Sequence, residues 1–180
     1  ETGLEQYIQT IPGMHEIDPK LCSPLVLAYV GDCVFDLIVK TLIVGRGNRP
    51  VHKLHEETSR YVQASAQSYM MRTMQEHLNE EEHGVYRRGR NARSVSPAKN
   101  QSITDYRRAT GFEALVGYLY LQKKYQRLTE LITIGLDTME KKIAECDDQI
   151  GVKWAYIDGN LPSWAKPTMK KLVNRGYLKG

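Results

Sequence analysis

Cysteine is scarce in this sequence. Cys22, Cys33 and Cys146 are odd in number and widely spaced, which excludes a disulfide framework and a thiolate zinc cage. They read as free thiols of a reducing compartment, and a cytoplasmic address is expected. Phenylalanine and tryptophan number two each, aromatics reach only 8%, and alternating β-branched residues are rare, which argues against a sheet protein. No apolar run is long and unbroken. The longest, Pro24 to Val44, carries Asp32, Asp36 and Lys40, which are costly in lipid, so no membrane partner is expected. No basic-then-apolar leader opens the chain, and no repeat or low-complexity tract appears. Charge of one sign is also lacking: 25 basic residues face 21 acidic ones, and six of the basic residues lie in the last 35 positions. Placement of charge, and not its total, must carry any nucleic-acid argument.

What is present fits a globular protein. The 180 residues are 41% hydrophobic and 26% charged, with mean hydropathy −0.48, enough to bury a core and too apolar for disorder. Apolar residues recur at three- and four-residue steps, so the fold class is all-α. Ser23-Pro24 has the form of an N-cap and first helical residue, and Gly45 to Pro50 can end that helix, giving 23–44. One long pattern follows over about 51–78, then a helix opened by Asn79 and three glutamates, a Ser/Pro/Asn-rich loop over 94–102, and helices over 103–121 and 128–144. Both tryptophans, Trp154 and Trp164, fall beyond residue 145, where the composition shifts. We divide the chain into a domain over 1–145 and an appendage over 146–180 of no assigned role.

Three groups of residues could carry chemistry. The first helix is apolar nearly all round and should be enclosed on every side. Asp32 and Asp36 interrupt it one turn apart, where they repel unless a cation or basic group is near; a solvated polar seam is the plain alternative. Glu113 is the only acid in the apolar body of its helix, with Gly111, Ala114 and Gly117 within a turn to admit another backbone. Pairing with Arg107 or Arg108 is its plain alternative. Taken together the acids point to a hard divalent cation, Mg²⁺ with Mn²⁺ able to substitute, because oxygen ligands suit these ions. His52 and His55 lie one turn apart but lack a third zinc ligand. The third group is basic: Arg87, Arg88, Arg90, Arg93, Lys99, Arg107 and Arg108 face one acid, Asp105, between Tyr86 and Arg108. The run crosses a glycine and enters a loop instead of alternating with acids, so phosphate contact competes with a solvated face.

The segments Leu27-Ala28-Tyr29-Val30-Gly31-Asp32-Cys33-Val34-Phe35-Asp36 and Phe112-Glu113-Ala114-Leu115-Val116-Gly117-Tyr118-Leu119 resemble the two signature helices of ribonuclease III catalytic domains. With Arg88 to Arg93, Pro97 to Asn100 and Tyr106-Arg107 in the same order, the resemblance narrows to the Mini-III ribonucleases, over about residues 18–140. It implies an all-helical homodimer that hydrolyses double-stranded RNA with Mg²⁺ and matures the large-subunit (23S) ribosomal RNA precursor. It assigns metal binding and catalysis to Asp32 and Glu113, RNA contact to Arg87, Arg88, Arg90, Arg93, Lys99 and Arg107, and a supporting place to Asp36. Full-length ribonuclease III carries further acids where this chain has Leu25, Ala28 and Thr110, so a single ion held by Asp32, Glu113, water and the RNA phosphate is the preferred picture. Those missing acids also leave open a non-catalytic duplex-RNA-binding dimer.

Overall fold

In a computed structural model, residues 3–92 and 102–154 are described, with the backbone alone for residues 4, 5 and 147–154. Among the described residues seven α-helices run in chain order: α1 (Leu4–Ile8), α2 (Pro24–Gly45), α3 (Val51–Val62), α4 (Ala64–Met74), α5 (Glu80–Asn91), α6 (Ile103–Leu121) and α7 (Tyr125–Trp154). A 3₁₀ turn, Gln75–His77, joins α4 to α5, and no strand occurs among the described residues. The chain divides into two compact units, Glu1–Asp137 and Thr138–Gly180. Every candidate residue within the described range lies in the first. Of the second, only the continuation of α7 to Trp154 is described.

Local chemistry sets the helix starts. The Ser23 side chain accepts from the Val26 N–H at 3.3 Å, with Pro24 at the first helical position of α2. Asn79 and Glu82 close a reciprocal capping box on α5, each bond 2.9 Å, with three acids in the positive first turn. Ser102 caps α6 through the Asp105 N–H. That helix stops at Lys123, whose φ of 58° lets the Lys124 N–H reach back to the Leu119 carbonyl at 2.9 Å.

The expected long helix over 51–78 is two helices. Gln63 takes an extended conformation, ψ 147°, and serves as the last cap of α3 and the first of α4. No glycine or proline marks the break; the bend buries Tyr61 on α3 together with Ala66, Met70, Met71 and Met74 on α4. The final helix is also longer than expected at both ends, running unbroken through residue 145.

α6 is the axis of the first unit, with α2, α4 and α5 packed on it. Ala109 to Leu119 are buried apart from Glu113, as an all-round apolar helix requires. Phe35 of α2 meets Phe112 of α6 edge to face, 4.8 Å between centroids. Buried Glu82 is paired with Arg127 of α7, whose Nε and Nη2 donate at 2.8 and 2.9 Å, while Nη2 also donates to the His77 carbonyl.

The first signature helix is not enclosed on every side by the described residues. Val26, Tyr29, Cys33, Leu37 and Val44 form an exposed stripe along α2 at three-, four- and seven-residue steps, Tyr29 at 77% and Leu37 at 60% exposure. The buried face is Leu27, Gly31, Phe35, Val39 and Ile43. Among the described residues no helix is long and apolar enough to cross a membrane.

Candidate active site

Glycines decide where the acids meet. A Cβ built on Gly31 would lie 1.8 Å from the Glu113 carbonyl oxygen, and one on Gly117 would lie 2.0 Å from the Leu27 carbonyl oxygen. The backbones of α2 and α6 therefore touch where they cross, which no residue with a side chain would permit. The crossing sets Asp32, the residue after Gly31, beside Glu113, one turn before Gly117.

The other small residues of α6 serve a different neighbour. A Cβ on Gly89 of α5 would meet the Ala114 Cβ at 2.7 Å and the Gly111 Cα at 2.9 Å, and one on Gly111 would strike the Tyr86 ring at 2.7 Å. Gly117 thus admits α2, while Gly111 and Ala114 admit α5.

The two acids differ in environment. Asp32 is exposed and Glu113 is largely enclosed. Burial, and then the Asp32 charge, push the Glu113 carboxyl up to about 7, opposed by a hydrogen bond donated by the Gln67 side-chain amide. Gln67 is a residue that sequence reasoning missed. Its signal was present, a long amide within the apolar face of α4 that carries Ala66, Met70 and Met71. Asp36 is half-buried and ion-paired with Lys40 one turn on, at 2.5 Å.

These residues fit a divalent ion. Both donors are carboxylate oxygens, and a dication would offset the burial and the Asp32 charge that together raise the Glu113 carboxyl. They do not form a closed cage: no group of three or more His, Cys, Asp or Glu side chains among the described residues could hold a metal. A cavity of about 390 Å³ lies elsewhere, lined by Ile8, Met14, Ile17, Tyr120 and Tyr125 among others, and neither acid borders it.

Of the expected RNA-contacting residues, Arg87, Arg88 and Arg90 are exposed at the end of α5, and Arg107 is exposed near the start of α6. Their cationic neighbour Arg108 faces the buried Tyr86 hydroxyl together with Arg90. Arg93 and Lys99 lie outside the described residues.

Among the described residues the fold is all-helical, with α2 and α6 touching at glycines, and residues 25–124 match the profile of the Ribonuclease III domain. The chain belongs to the ribonuclease III family, among its Mini-ribonuclease 3 members. It is 47% identical over 125 residues to the Mini-ribonuclease 3 of Clostridium tetani, covering 69% of this chain and 83% of that one. Against the Mini-ribonuclease 3 of Enterococcus faecalis it is 42% identical over 134 residues, covering 73% and 98%. A crystal structure of a Fusobacterium nucleatum protein superposes with a TM-score of 0.58 at 28% identity, over 62% of this chain and 91% of that one. The chain is accordingly an endoribonuclease of the ribonuclease III family.

Proposed function

We propose that this endoribonuclease cleaves double-stranded RNA with Mg²⁺, for which Mn²⁺ can substitute, and that its substrate is the large-subunit (23S) ribosomal RNA precursor in the cytoplasm. The observation that supports the metal and catalytic assignment is the Gly31–Gly117 crossing, which brings the backbones that carry Asp32 and Glu113 together so that the Asp32 charge acts on Glu113. The ribosomal substrate rests on the resemblance to Mini-III ribonucleases.

In this reading Asp32 and Glu113 hold the ion, with Asp36 in a supporting place beside Lys40. When bound, the ion makes hydroxide available near neutral pH and neutralises charge on the phosphodiester. Asp32, being exposed, faces the incoming strand, while Glu113 accepts a hydrogen bond from Gln67. Arg87, Arg88, Arg90, Arg93, Lys99 and Arg107 hold backbone phosphates and confer little sequence preference, because A-form RNA hides its base edges in a deep, narrow groove.

The proposal includes a homodimer. The exposed stripe Val26, Tyr29, Cys33, Leu37 and Val44 supports it, since an apolar row of that length favours burial against a second copy. A two-fold axis through that row would give two mirrored sites, one for each strand of a duplex.

The test is a labelled ribosomal precursor stem incubated with Mg²⁺. Wild type is expected to cut it, and Asp32→Asn to lower the rate about 10²- to 10⁴-fold, on the order of 3–5 kcal/mol in barrier. Undiminished cleavage by the variant would remove Asp32 from its role.

A further inference from the structure

Gln67 lies on α4, and its side chain is 1% exposed. One end of its amide donates to Glu113. A carboxylate only accepts, so that end is Nε2, and the oxygen is the other terminal atom on the same carbon. This Oε1 is buried and has no hydrogen-bond partner among the described residues. A buried carbonyl-type oxygen without a donor is costly and rare in native proteins. It shares a carbon with the nitrogen that holds Glu113, and the pair Asp32 and Glu113 has no third acid, the matching positions being Leu25, Ala28 and Thr110.

We propose that Gln67 completes the divalent-cation site, its amide holding Glu113 through Nε2 and its Oε1 serving as a neutral third oxygen that accepts from water bound to the ion. The inference rests on the assignment of Asp32 and Glu113 as the metal ligands. It accounts for three observations together: an amide in an apolar helix face, an acceptor with no protein donor, and a site short of carboxylates. Hard divalent cations accept such mixed oxygen sets and retain water, and groups that orient primary ligands typically alter metal affinity 10- to 100-fold when removed. Because the oxygen is neutral, it would add an acceptor without adding to the repulsion between Asp32 and Glu113.

The experiment titrates Mn²⁺ into the full chain without RNA, reading free Mn²⁺ by electron paramagnetic resonance, for wild type, Gln67→Leu, Gln67→Glu and Asp32→Asn. Circular dichroism establishes that each variant is folded. Gln67→Leu should weaken Mn²⁺ binding about 10-fold or more, and Gln67→Glu, which restores an oxygen but not the donor, should bind more tightly than the leucine variant. Wild-type affinity in Gln67→Leu overturns the proposal, and so does a Gln67→Glu variant as weak as the leucine variant, which would leave Gln67 a structural prop only. If Gln67→Leu does not fold, the glutamate variant decides alone by the same criterion. Unchanged affinity in Asp32→Asn would instead overturn the underlying ligand assignment, so the two failures are told apart.

Discussion

Gly31 and Gly117 touch across the two signature helices: the site a Cβ on Gly31 would occupy is 2.7 Å from the Gly117 nitrogen, and the one on Gly117 is 2.9 Å from the Gly31 nitrogen. The obstacles are backbone atoms, which cannot rotate aside as a side chain can. Gly117→Ala should therefore destabilise the fold by about 3 kcal/mol or more, the upper end of overpacking effects, and lower cleavage along with it. Urea unfolding of both proteins measures this, and a destabilisation below about 1 kcal/mol would mean that the backbones of α2 and α6 do not touch.

Arg127 and Glu82 tie stability to acid. Burial alone would raise the Glu82 carboxyl, but the Arg127 hydrogen bonds, the Asn79 N–H and the Arg127 charge hold it below the usual carboxylate range. A depressed folded-state pKa stabilises above the unfolded value, and that stability is lost as pH falls through the folded one. Arg127→Met leaves Glu82 buried without its partner and should cost about 2–3 kcal/mol near neutral pH. The deficit should shrink on going to acid, read from urea midpoints between about pH 4 and pH 7.

Glu113 shifts the other way. Without metal its carboxyl titrates at about 7, against an ordinary value of 4.5, chiefly through burial and next through Asp32. Its share of stability is complete below the ordinary value and is lost as pH rises through about 7, the reverse of Glu82. Asp32→Asn should lower this pKa without returning it to 4.5, because burial is the larger cause. Carbon NMR of labelled glutamate carboxyls in chelator-treated protein follows it, and an unmoved value would show that the two acids do not sense each other.

Arg87, Arg88 and Arg90 are exposed at the end of α5. Changing any one to alanine should leave stability within about 0.5 kcal/mol. Binding to duplex RNA should weaken across sequences, and the slope of log affinity against log salt should fall by about one for each phosphate the protein no longer neutralises. A salt slope that stays the same in the triple variant would assign these arginines to the solvated face alone.

The fold was legible wherever one residue type has one local use. Ser23-Pro24, Asn79 with Glu82, and Ser102 mark helix starts because the side chain satisfies an N–H a few positions away. The break at Gln63 was not legible, since an ordinary residue adopts an ordinary extended conformation there for the sake of packing distant in sequence. The crowding of small residues around Glu113 was also readable, but not its division between α2 and α5, which depends on which helix lies on which side. Gln67 escaped because its partner is 46 positions away, and an amide in an apolar face looks the same whether it caps, braces or binds.

The pass of α5 against α6 at Gly89 and Gly111 has a practical corollary for redesign. The alphabet available at Gly31, Gly89, Gly111 and Gly117 has a single letter, whereas the arginines nearby are exposed and meet no such steric limit. A mutagenesis library seeking new duplex preferences should hold those four codons constant and spend its diversity on the basic positions, where a change of preference need not collapse the scaffold.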